Sequence, residues 1–126
     1  MKKILIIEDD PYVLRFYERL FSVNSGYSIE TLSDSTQALE KTIDFAPDLI
    51  LLDIVMPNKD GLSVLKELKA SPITKSIQVI ILTNLSETET MKEAASNGAS
   101  GFLIKSNTKA EDLLKYIDLF LNKSNG

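Results

Sequence analysis

Five short apolar runs, each followed by a longer segment of helical periodicity, constrain the fold of this chain more than any other feature. Residues 4–7, 49–52, 77–82 and 101–104 read as continuous apolar runs, broken only by Gln78, whereas 27–32 is weaker and alternates. A run with no polar face suits a strand covered on both sides, the condition of a parallel sheet packed between helices. Strand and helix alternate five times. The expected architecture is therefore α/β, a five-stranded parallel sheet sandwiched by helices.

The intervening segments carry their own start and stop signals. Asp10-Pro11 opens the first helix with an N-cap carboxylate and a proline at the first helical position, where a missing N–H costs nothing. Val13, Phe16, Tyr17, Leu20 and Phe21 recur at i, i+3, i+4, i+7 spacing and predict its buried stripe. The second helix, 35–45, ends before Ala46-Pro47, because the residue before a proline is biased away from helix. The third, 60–69, carries Leu62, Val64, Leu65 and Leu68 and stops near Ser71-Pro72. The fourth, 86–97, opens on a capping-box pattern, Ser86 with Glu89 three residues on, and Gly98 is placed to close it. The fifth, 108–121, presents Leu113, Leu114, Ile117, Phe120 and Leu121.

The chain has 126 residues, and at roughly 100–200 residues per domain that predicts a single domain over 1–126. Its ordered core is expected over about 2–121, with the polar residues after Leu121 fraying. Nothing after the fifth helix is long enough for an output domain, so the expectation is a domain that acts alone or through a partner. There is no Cys and no His, which removes disulfide scaffolds, Cys/His zinc sites, cysteine nucleophiles and Ser-His-Asp triads. The net charge of −4 argues against direct nucleic-acid binding, which needs a cationic face. The apolar run at 4–7 is too short for a secretory signal, which needs roughly 7–15 residues. No stretch approaches the ~20 residues of a membrane span, so the expected location is the cytoplasm, without membrane insertion.

In an open α/β sheet, ligands bind beyond the carboxyl ends of the strands. The first strand ends in Glu8-Asp9-Asp10, the third in Asp53, the fourth in Thr83 and the fifth in Lys105. Each has an ordinary structural reading: helix-dipole partners, a good strand residue, a solvated lysine tip. Together at one edge they favour a site. Mg²⁺ prefers oxygen ligands, one or two carboxylates with phosphate oxygens and water, and Glu8, Asp9 and Asp53 supply carboxylates. An Asp carboxylate can act as nucleophile toward a phosphoryl group, with Lys105 pairing its charge and Thr83 hydrogen-bonding an oxygen. The constellation reads as metal-assisted acyl-phosphate chemistry.

The residues that carry it occur in Ile4-Leu5-Ile6-Ile7-Glu8-Asp9-Asp10-Pro11, in Asp48-Leu49-Ile50-Leu51-Leu52-Asp53-Ile54-Val55-Met56-Pro57 with Asp60-Gly61, in Val79-Ile80-Ile81-Leu82-Thr83, and in Gly98-Ala99-Ser100-Gly101-Phe102-Leu103-Ile104-Lys105. In order and spacing this sequence resembles the receiver domains of bacterial two-component response regulators, most specifically in its Asp-x-x-Met-Pro-x-x-Asp-Gly block. The resemblance implies a flavodoxin-like (βα)5 doubly wound sandwich with strand order 2-1-3-4-5. It implies that Asp53 is the phosphoacceptor and that Glu8, Asp9, Asp53 and the Val55 backbone carbonyl hold Mg²⁺, or Mn²⁺, Glu8 through water. It implies that Thr83 and Lys105 hold the phosphoryl group, and that Phe102 moves inward when Thr83 is drawn to it. The implied partners are a sensor histidine kinase or histidine phosphotransfer protein, which the first helix receives with Tyr12 as an exposed contact, and a downstream protein target. Such domains are not turnover enzymes beyond self-phosphorylation and self-dephosphorylation, and without a His this chain is not the phosphohistidine carrier.

Three positions depart from the family pattern. Ser106 follows Lys105 where a cis-bonded proline is usual. A cis non-proline bond costs about 2.5–4 kcal/mol, so a trans bond, or a strained cis one held by the site, is expected. Asn84 stands where a small residue is usual, and its amide is expected to crowd or bond the phosphoryl group. Phe102 lacks the hydroxyl of a tyrosine, leaving a packing switch. Val55 and Leu85, two residues beyond Asp53 and Thr83, are apolar and predict slow loss of phosphate.

Three other readings compete. An aspartate-nucleophile phosphatase wants a second acid at position 55, which is Val. A nucleotide or flavin module wants a Gly- or hydroxyl-rich first loop, not Glu8-Asp9-Asp10-Pro11. A degenerate receiver acting as a phosphorylation-independent interaction module would not need the set Glu8, Asp9, Asp53, Thr83 and Lys105.

Overall fold

In a computed structural model that describes residues 1–24, 26–85 and 87–122, five parallel strands form one sheet in the order β2-β1-β3-β4-β5. The strands are β1 (Lys3–Ile7), β2 (Ser28–Leu32), β3 (Leu49–Leu52), β4 (Gln78–Thr83) and β5 (Gly101–Ile104). The helices are α1 (Pro11–Asn24), α2 (Ala38–Phe45), α3 (Gly61–Ala70), α4 (Thr88–Ser96) and α5 (Ala110–Asn122), with single 3₁₀ turns at Ser35–Gln37 and Lys105–Asn107. Fold class and strand order are those the sequence implied.

The continuous apolar runs divide between two cores with the period of two that a strand imposes. Leu5, Ile7, Ile50, Leu52, Val79 and Ile81 face α2, α3 and α4, where they meet Ala38, Val64, Leu65, Leu68 and Ala94. Their sequence neighbours Ile4, Ile6, Leu49, Leu51, Ile80 and Leu82 face α1 and α5 and pack on Leu14, Tyr17, Phe21, Leu113, Ile117 and Leu121. The three inner strands are buried on both faces almost throughout, whereas the edge strands reach both cores but are only half-buried. β5, read from sequence as equally covered, is an edge strand and half-buried along its length, because Ile80–Thr83 of β4 pairs with it on one side alone.

The local signals act much as their chemistry dictates. Asp10 Oδ1 accepts from the Tyr12 N–H at 2.9 Å and caps α1 at Pro11. Asp60 Oδ1 accepts from the Ser63 N–H at 2.9 Å and caps α3. Gly98, at φ +97°, closes α4: its N–H donates to the Ala95 carbonyl and that of Ala99 to the Ala94 carbonyl, a Schellman pair. The predicted Ser86 cap lies outside the described residues, and α4 begins at Thr88 with Glu87 at its N-cap. The α1 stripe is centred one residue from its predicted place: Leu14, Tyr17 and Phe21 are buried, while Phe16 is 54% exposed. Among the described residues no helix is long and apolar enough to cross a membrane.

Candidate functional site

The parallel sheet delivers the ends of β1, β3, β4 and β5 to one edge, and each end carries a polar group. The Glu8 N–H donates to the Leu32 carbonyl at 3.0 Å and the Asp53 N–H to the Ile7 carbonyl at 3.1 Å. The ladders thus run one residue past the strands and fix both backbones. Glu8 and Asp53 are buried, as is Thr83, and Asp9 is half-buried. Glu8, Asp9 and Asp53 each offer a carboxylate oxygen, all within 4.8 Å of one another. That is an all-oxygen, anionic donor set of the kind a hard divalent cation takes.

Lys105 crosses from the end of β5 to these carboxylates. Its Nζ donates to Glu8 Oε1 and, at 3.3 Å, to Asp53 Oδ2. The remaining oxygens have backbone donors: the Asp10 N–H at 3.1 Å from Glu8 Oε2 and the Ile54 N–H at 2.8 Å from Asp53 Oδ1. Burial pushes the Glu8 carboxyl above its ordinary value despite the Lys105 hydrogen bond. Burial works downward on Lys105, but its bond to Glu8 and the Asp53 and Glu8 charges outweigh it and raise the ammonium. Lys105 therefore stays protonated as the one cation facing this acidic cluster among the described residues.

Thr83 ends β4, and its Oγ1 accepts from the Leu85 N–H at 3.4 Å. Phe102, paired with Ile81 across the sheet, is half-buried against the α2–α3–α4 core. Val55 is 59% exposed beyond Asp53. The Lys105–Ser106 bond is trans, since no cis peptide occurs among the described residues. Asn84 Oδ1 accepts from the Ser106 N–H at 3.0 Å, a donor that a proline at 106 would have removed.

Two neighbours of the site escaped the sequence reading. Tyr17, assigned to the core stripe, is buried beside Lys105, and with Leu82, Thr108 and Leu113 these residues line a cavity of about 190 Å³. Burial raises its phenol, against the pull of the Lys105 charge. Gly61 packs directly against the Asp53 backbone, and its N–H donates to the Ile54 carbonyl at 2.9 Å. The Asp60-Gly61 pair in the sequence was its only signal.

The chain matches the response regulator receiver domain family over residues 4–118. It is 39% identical over 106 residues to the transcriptional regulatory protein MalR of Bacillus subtilis, covering 83% of this chain and 44% of MalR. It is 34% identical over 116 residues to a gliding motility regulatory protein of Myxococcus xanthus, covering 92% of this chain and 15% of that protein. The chain thus spans less than half the length of these relatives. Among solved structures, the chemotaxis protein CheY4 of Vibrio cholerae superposes with a TM-score of 0.88 at 28% identity, over 96% of this chain and 99% of CheY4. A receiver domain from Clostridium thermocellum gives 0.87 at 30%, over 99% and 98%. Receiver domains bind Mg²⁺ at an acidic pocket, and the Mn²⁺-bound response regulator Rcp1 superposes at 0.81 with 26% identity, over 95% of this chain and 94% of Rcp1. With the sheet order, the carboxylate cluster and the family match in agreement, this chain belongs to the response regulator receiver domains of two-component signalling.

Proposed function

We propose that Asp53 accepts a phosphoryl group from the phosphohistidine of a sensor kinase or phosphotransfer protein, and that the resulting aspartyl phosphate switches binding of a downstream protein. The observation that carries this reading is the meeting of Lys105 Nζ with Asp53 Oδ2 at 3.3 Å inside a cluster of three carboxylates. An Asp53 carboxylate oxygen attacks phosphorus; the new O–P bond forms as the P–N bond breaks, and its electron pair leaves on the donor imidazole nitrogen. The Lys105 ammonium pairs with the transferred charge. The Thr83 hydroxyl, already accepting from the Leu85 N–H, donates a hydrogen bond to a phosphoryl oxygen.

The three carboxylates fit Mg²⁺, or Mn²⁺, which Asp9, Asp53, the Val55 backbone carbonyl and, through water, Glu8 would hold. When bound, the cation supplies neutralisation of the charge gathered on the phosphoryl oxygens. Drawing Thr83 toward that group opens room beside β4 and β5 for Phe102 to pack inward. The donor's docking surface is α1, where Tyr12 is 77% exposed beneath Arg15 and Phe16 is half-exposed. A cytoplasmic location goes with this reading, as does the absence of turnover chemistry on any other molecule.

The test is intact mass after incubation with acetyl phosphate and Mg²⁺, beside an Asp53→Asn control. A single phosphoryl adduct that needs both the metal and Asp53 is expected. A folded, Mg²⁺-binding chain that takes up no phosphoryl group would instead be an interaction module independent of phosphorylation.

A further inference from the structure

Lys105 is the first residue of a single 3₁₀ turn, 105–107, whose N-cap residue Ile104 makes no side-chain cap. The first amides of such a turn have no partner within it. The Ser106 N–H is met from a different strand, by Asn84 Oδ1 at 3.0 Å. Asn84 directly follows Thr83 at the end of β4, and Ser106 directly follows Lys105 at the end of β5. One hydrogen bond therefore clasps the two loops that carry the hydroxyl and the amine of the site. Both partners stand at positions where this chain departs from the family pattern. A proline at 106 has no N–H to give, and an alanine or glycine at 84 has no oxygen to receive it.

We propose that Asn84 is a positioning residue for Lys105, acting through the Ser106 amide; this rests on the phosphoacceptor role given to Asp53. A lysine side chain has four rotatable bonds and loses much of its rotamer freedom when held. Its aim is set first by the direction in which its backbone releases it. Thr108 ties the turn to its own strand, its Oγ1 donating to the Ile104 carbonyl at 2.8 Å and its N–H to the Lys105 carbonyl at 3.3 Å. Asn84 supplies the remaining constraint, from the neighbouring strand. Together they keep the ammonium over Glu8 and Asp53 and keep it in fixed relation to the Thr83 hydroxyl.

Asp53 phosphorylation by saturating acetyl phosphate and Mg²⁺ is followed in the intact chain, in Asn84→Ala, and in Lys105→Ala with and without Asn84→Ala. Loss of one exposed hydrogen bond predicts a rate about three- to tenfold slower in Asn84→Ala. Because Asn84 acts through Lys105, Asn84→Ala adds no further slowing to Lys105→Ala. A wild-type rate in Asn84→Ala, or the same slowing with Lys105 absent, overturns the proposal. Exchange of the Ser106 amide, read by NMR, needs no phosphoryl chemistry: protection is lost in Asn84→Ala and kept in Ser106→Ala. Equal exchange in the wild type and Asn84→Ala overturns the clasp. If the wild type takes up no phosphoryl group, the reading of Asp53 fails, and the exchange measurement alone decides whether Asn84 holds the turn.

Discussion

Gly61 stands so close behind Asp53 that a Cβ at position 61 would lie 2.1 Å from the Asp53 carbonyl oxygen and 2.7 Å from the Ile54 Cα. Both obstacles are backbone, so no rotamer change relieves them. The first residue of α3 is thereby a wall against which the loop carrying the proposed phosphoacceptor is set.

Gly61→Ala must push that loop away or move the start of α3. Overpacking of this kind costs about 1–3 kcal/mol, and the displaced Asp53 takes up the phosphoryl group more slowly. Urea unfolding and intact-mass kinetics on the same variant measure both effects. Wild-type values in each would show that the loop yields freely.

Phe21 and Phe16 lie on one helix but differ sharply in burial, 0% against 54% exposed. Phe21→Ala should cost about 3–5 kcal/mol, because it empties a closed site between α1 and the sheet. Phe16→Ala should cost well under half of that and instead weaken docking of a phosphohistidine donor on α1. Chemical denaturation of the two variants side by side gives the ratio.

Mg²⁺ should raise the unfolding temperature, since the site proposed for it exists only where Glu8, Asp9 and Asp53 have been brought together. A hundredfold excess over its Kd corresponds to about 2.7 kcal/mol of stabilisation. Asp9→Asn should remove most of that gain while leaving the metal-free melting curve little changed. Thermal melts with and without the cation decide it.

Val55 and Leu85 offer no hydrogen bond to a water attacking the aspartyl phosphate, so the phosphorylated state should be long-lived. The double variant Val55→Asn, Leu85→Glu should lose phosphate several-fold faster, as followed by mass after removal of the donor. An unchanged half-life would assign the lifetime to other groups.

The Tyr27 hydroxyl donates to Asp118 Oδ1, and burial together with that carboxylate pushes the phenol up to about 12 from its ordinary 10. A raised pKa in the folded chain means that the fold favours the protonated form. This contribution is complete below about pH 10 and declines as pH rises toward about 12. Tyr27→Phe should be less stable at neutral pH and show a shallower alkaline fall, measured by urea unfolding at several pH values.

The inner strands were legible because Ile4 to Ile7, Leu49 to Leu52 and Val79 to Leu82 have no polar face to leave outside. The edge position of β5 came from the strand order of the family the chain resembles and not from its residues, since Phe102, Leu103 and Ile104 look as apolar as any inner strand. On α1 the helical template fitted two adjacent stripes, and nothing local separates Phe16 from Leu14. The charged groups of the site could be read from one rule, that strand ends of a parallel sheet converge. Their supports could not. Gly61 against Asp53 depends on how the short loop between them turns back, Tyr17 beside Lys105 and Asn84 on Ser106 on segments far apart in the chain, and residue type alone encodes none of these contacts.

The placing of β1 also governs how this chain reaches its fold. Ile4 pairs with Ile29 on one side and Leu49 on the other, so the earliest-made of the five strands becomes an inner strand only when the third arrives. Until then one apolar edge of β1 is open, and closing it requires a loop that holds two whole helices. Such distant pairing slows folding, because chain entropy is lost before contacts repay it. The order of synthesis therefore leaves the strand that carries Glu8 and Asp9 waiting for the strand that carries Asp53, and the acidic cluster is assembled in the same event that seals the core.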